Sequence, residues 1–104
     1  MTQNYIEIIS GRGESYEIYG DIVHAIEDLD EFPYLVEKIC REALSLPSEA
    51  LESLHFGLWR LQIHADIHRY QDMERAQRVK YVAQVLERLI FGSLMLEEEN
   101  LGRQ

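Results

Sequence analysis

At 104 residues, 46% hydrophobic and 28% charged, the chain has the make-up of one folded domain and not of a disordered or fibrous protein. Its one cysteine, Cys40, excludes an internal disulfide framework and fits a reducing, cytoplasmic setting. The longest apolar run, Leu89 to Leu96, is broken by Gly92 and Ser93 and is far too short for a membrane span; no basic segment followed by an apolar run reads as a secretory signal.

The net charge of −9 is unevenly placed: residues 1–52 carry 12 acidic against three basic side chains, and residues 53–104 carry seven of each. Such an acidic surface repels phosphates and attracts basic surfaces, which argues against direct nucleic-acid binding.

The segment from Asn4 to Ile9 is β-branched and aromatic and reads as a strand. Ser10-Gly11-Arg12-Gly13-Glu14 reads as a turn, and Ser15 to Tyr19 as a second strand, so a β-hairpin is expected over residues 4–19. The two glycines around Arg12 lack the remaining signature of a phosphate-binding loop. A short helix follows over 21–29, where Tyr19, Ile22, Val23, Ile26 and Leu29 have helical spacing. That spacing already begins inside the second strand.

A helix over 31–45 is predicted next, with Asp30 as its N-cap and Pro33 in its first turn. Its stripe of Phe32, Leu35, Val36, Ile39, Cys40, Ala43 and Leu44 makes it the internal candidate to cover the next helix. On that stripe Cys40 reads as a small core residue; no partner for a catalytic thiol is visible.

Residues 48–71 form the organising element. Leu51, Leu54, Leu58, Leu61 and Ala65 make one stripe, while Phe56, Trp59, Ile63, Ile67 and Tyr70 make another. At about 100° per residue the two stripes lie nearly opposite each other. Such a helix needs cover on both sides, from within the chain or from another subunit. A second long helix is expected over 73–98, with Ala76, Val79, Val82, Ala83, Val85, Leu86, Leu89 and Ile90 on its apolar half. A single unbroken helix of about 50 residues would be about 75 Å long, too long for the rest of the chain to cover. Two antiparallel helices with a turn near Tyr70 to Met73, the second capped by Asp72, are therefore expected.

One constellation carries chemical promise. His64, His68 and Asp72 fall at i, i+4 and i+8, neighbours along one helix flank. Such a flank can hold zinc or another transition metal when a further ligand converges, His24 being a spare and His55 pointing elsewhere. The metalloprotease pattern is missing, because Ala65 follows His64. The plainer reading is that both histidines border the leucine stripe and make ordinary hydrogen bonds. No nucleophile elbow is present, and the many carboxylates of the acidic half show no tuned pair.

The sequence thus predicts a mainly α single domain: a short N-terminal β-hairpin, then about four helices, the last two a long antiparallel helical hairpin. It predicts a non-enzymatic, cytoplasmic protein-interaction module, a homodimer that regulates or inhibits a basic, nucleic-acid-handling partner. Glu27, Asp28, Asp30 and Glu31, the densest acidic stretch, are the predicted contact. The alternative is a metal-binding helical protein using His64, His68 and Asp72.

Overall fold

A computed structural model describes residues 5–11 and 16–102, with side chains to residue 92. Among these the chain is helical throughout: α1 Tyr5–Ser10, α2 Glu17–Glu27, a 3-10 turn at Leu29–Glu31, α3 Phe32–Leu44, α4 Ser48–His68 and α5 Met73–Gly102. The mainly α expectation holds, and the expected N-terminal β-hairpin is absent: α1 and the start of α2 stand where its strands were predicted. Asn4 and residues 12–15 of that hairpin lie outside the described residues.

The reason is burial. In a strand, Tyr5 and Ile9 would share a face with Glu7. In α1 they stack one turn apart and both are buried, while Glu7 is exposed. In α2 the residues Ile18, Tyr19, Ile22, Ala25 and Ile26 make one continuous buried stripe. The β-preference of isoleucine and tyrosine is weak beside such packing. Gly11, which reads as a hairpin turn, is instead the left-handed residue (φ 64°) that ends α1, its N–H donating to the Glu7 carbonyl at 2.8 Å.

The leucine stripe of α4, Leu54, Leu58, Leu61 and Ala65, is buried. It packs on α5, whose Ala76, Val79, Val82, Ala83 and Leu86 are buried. The pair is antiparallel: the contacts Asp66–Lys80, Gln62–Glu87 and His55–Phe91 run in opposite chain directions. The turn between them ends at Asp72, whose Oδ1 accepts the Arg75 N–H at 3.0 Å and caps α5. By contrast neither Ser48 nor Asp30 caps a helix; α4 starts at Ser48 after Pro47, and α3 is entered from the 3-10 turn.

The helix expected to cover one face of α4 goes elsewhere. α3 packs on α2 and α5, burying Phe32, Ile39 and Ala43, and α1 takes the place beside α4. Gly57 makes that possible. A Cβ there would overlap the Ile9 carbonyl group, so only glycine lets α1 approach this closely. Arg60, one turn on, donates from Nε to the Ile8 carbonyl at 2.8 Å and from Nη2 to the Ile9 carbonyl at 2.9 Å. Arg78 of α5 does the same for α2, donating to the Ile26 carbonyl at 3.2 Å. Helix-end carbonyls with no partner in their own helix are thus satisfied across the core.

Candidate functional site

His64 and His68 lie on the flank of α4 that faces α1 and the α4–α5 turn. They line a cavity of about 170 Å³ together with Tyr5, Gln71, Asp72 and Arg75. The imidazole centroids are 4.3 Å apart, and Tyr5 meets His64 edge-on at 6.3 Å. Arg75 closes the cavity, donating from Nε to the Tyr5 hydroxyl at 2.9 Å and pairing with Glu27 at 3.5 Å. Burial, and then the charge of His68, pushes the His64 imidazole below its ordinary pKa, which favours its neutral form.

The structure therefore brings His64, His68 and Asp72 to one cavity. It does not draw their donor atoms into a cluster: among the described residues, the three-ligand group with all donor atoms within 4.8 Å is Glu17, Asp21 and Glu42. Asp72 already serves as a helix cap, and a guanidinium shares the cavity. His24 is exposed on α2, away from the cavity, and His55 stacks on Phe91 at 4.2 Å.

The carboxylate group at α2 and α3 was not legible as a cluster in the sequence. Lys38 lies within it, with Nζ 3.2 Å from Glu17, 3.2 Å from Asp21 and 3.6 Å from Glu42. Hydrogen bonds to Asp21 and Glu17 push the Lys38 ammonium up from its ordinary pKa. Burial, with the Asp21 carboxylate beside it, pushes Glu42 up to about 7. The i,i+4 pairs Glu17–Asp21 and Lys38–Glu42 are visible in the chain; their meeting across two helices is not. An ammonium already occupies this site, and its role is to pin α2 to α3.

The four acidic residues of the predicted contact, Glu27, Asp28, Asp30 and Glu31, are all exposed where the chain turns from α2 into α3. Glu27 pairs with Arg75; Asp28, Asp30 and Glu31 form no ion pair among the described residues. Leu29 and Tyr34 are exposed beside them. Four basic residues of the second half are engaged within the fold. Arg60 and Arg78 bind carbonyls, Arg75 binds Tyr5 and Glu27, and Lys80 pairs with Asp66 at 2.9 Å.

The second stripe of α4 has no cover among the described residues. Phe56, Trp59, Ile63 and Ile67 are exposed along one side of the helix, and Tyr70 is exposed in the turn just past its end. Among the described residues, no helix is long and apolar enough to cross a membrane. No family model matches the chain, and no curated protein or solved structure is detectably similar to it.

Proposed function

We propose that the protein is a non-enzymatic interaction module that regulates or inhibits a partner with a basic surface, such as the cationic groove of a nucleic-acid-handling protein. The observation that carries this reading is the acidic corner between α2 and α3. Four carboxylates, Glu27, Asp28, Asp30 and Glu31, are exposed within five residues, and three of them have no cation among the described residues. Some other charges are matched internally, as Lys38 and Lys80 illustrate. Unmatched carboxylates on a short turn, with exposed Leu29 and Tyr34 alongside, form a compact negative surface with apolar contacts at its edge. A surface of that kind favours cationic partners and speeds their encounter at low salt. The internal engagement of Arg60, Arg75, Arg78 and Lys80 reduces the positive charge these four residues offer to phosphates.

The test uses an arginine-rich helical peptide as the basic probe, with binding followed by backbone NMR shifts. Perturbations should concentrate at residues 27–34 and weaken as salt is raised. Changing Glu27, Asp28, Asp30 and Glu31 to Lys should weaken binding by at least tenfold while leaving the circular dichroism unchanged. Perturbations spread evenly over all acidic residues, or binding that survives the charge reversal, would contradict the reading.

A further inference from the structure

We infer that the uncovered face of α4 is the interface with a second copy of this chain, paired antiparallel about a twofold axis that passes through Ile63. Three observations converge on that occupant.

The first is the size of the face. Phe56 is 56% exposed, Trp59 58%, Ile63 41%, Ile67 66% and Tyr70 80%. A buried aromatic side chain covers about 150–250 Å², so these five residues offer roughly 600 Å² of apolar surface per copy. That reaches the top of the range for the largest patch on a monomer. With the polar residues at its rim, it approaches the roughly 800 Å² per partner of a standard stable interface.

The second is symmetry. The stripe is spaced three, four, four and three residues, the same read in either direction from Ile63. An isologous contact requires each surface to complement itself, residue i meeting j as j meets i. In an antiparallel pair centred on Ile63, Trp59 stands level with the second copy's Ile67, and Phe56 faces the end of the second copy's helix, where Tyr70 lies in the turn just beyond it. At about 100° per residue, Trp59 and Ile67 lean about 40° to opposite sides of Ile63. Facing residues therefore interleave instead of colliding, ridge into groove.

The third is the relief on either side of Trp59. Toward α1 lies a shallow groove of about 350 Å³ containing Ile8, Ile63 and Ile67; toward α5 lies one of about 320 Å³ containing His55 and Phe56. Large side chains entering from a facing helix have apolar space to occupy. The face also carries none of the acidic corner, which sits on the turn between α2 and α3, so this inference stands or falls apart from the proposed partner surface.

Sedimentation equilibrium tests it. The wild-type chain should sediment at twice its 12.2 kDa mass, and Trp59→Glu as a single chain with unchanged helicity. Reversing the charges of Glu27, Asp28, Asp30 and Glu31 should leave the dimer intact. Should Trp59→Glu fail to fold, the geometry is read by cysteine cross-linking in a Cys40→Ser background. Ile63→Cys lies on the axis and should join the two copies when oxidised glutathione is added. Ile67→Cys should not, because the two copies of residue 67 are about 12 Å apart along the helices, beyond disulfide reach. A wild-type chain that stays monomeric, a dimer untouched by Trp59→Glu, or cross-linking at 67 but not at 63 would overturn the inference.

Discussion

Two glycines in helices show how one atom is decided by its surroundings. Gly57 is buried and faces the Ile9 carbonyl so closely that a Cβ cannot enter, whereas a Cβ on exposed Gly20 meets nothing within 4 Å. Replacing glycine by alanine inside a helix ordinarily stabilises it by about 0.5–1 kcal/mol. Gly20→Ala should do so. Gly57→Ala should do the reverse, pushing α1 off α4 and costing about 2 kcal/mol, a fall in Tm of roughly 10 °C for a domain of this size. Parallel thermal melts of the two variants check both signs; equal effects would contradict the described seating of α1. Arg60 completes that seat by binding the last carbonyls of α1. Neither role was legible in the chain, because both depend on a segment some 50 residues away.

At the scale of elements, what could be read in the sequence was what repeats along one helix. The buried stripe of α4 and the apolar half of α5 follow directly from spacing, and so does the second, exposed stripe of α4. The N-terminal segment could not be read this way. Six residues of α1 hold only two buried positions, too few to separate a period of 3.6 from a period of 2, so the composition of isoleucine and tyrosine decided the expectation. For α2 the helical spacing was read from Tyr19 onward, and the strand reading of residues 15–19 overrode it there; the helix in fact starts at Glu17.

The junction of α2 and α3 carries a pH dependence. Glu42 is raised from the ordinary 4.5 to about 7 in the fold, so between those values the folded chain binds more protons than the unfolded one. Stability therefore falls as pH rises through this window, the fold losing on the order of 2 kcal/mol by pH 8. His64 acts in the opposite sense, since its lowered pKa makes acidification below about 6.5 costly. The difference between wild type and Glu42→Gln isolates the carboxylate. Urea unfolding at pH 5 and pH 8 should show Glu42→Gln close to wild type at the lower pH and more stable at the higher. A constant difference at both would contradict the raised pKa.

Among the described residues two surfaces stand out. A run of exposed carboxylates lies at the turn between α2 and α3, and a stripe of exposed apolar side chains lies along α4. The first was legible as an acidic run, and the second as a stripe too many for one helix to bury. What the sequence did not disclose was which helix would leave the second stripe bare. That followed from α3 packing on α2 and α5, a choice made by contacts among three helices and not by any local pattern. Of the proposed roles of these surfaces, pairing through α4 is central, because it accounts for the stripe of large apolar side chains left in water.

Trp59 is the only tryptophan of the chain and stands within that face, so its fluorescence reports the face alone. The most direct measurement is its emission and its quenching by iodide as the protein is diluted. Emission should be blue-shifted and protected at high concentration and turn red-shifted and quenchable on dilution, with a midpoint matching the sedimentation equilibrium. Emission that is exposed to iodide and unchanged at every concentration would contradict pairing through α4.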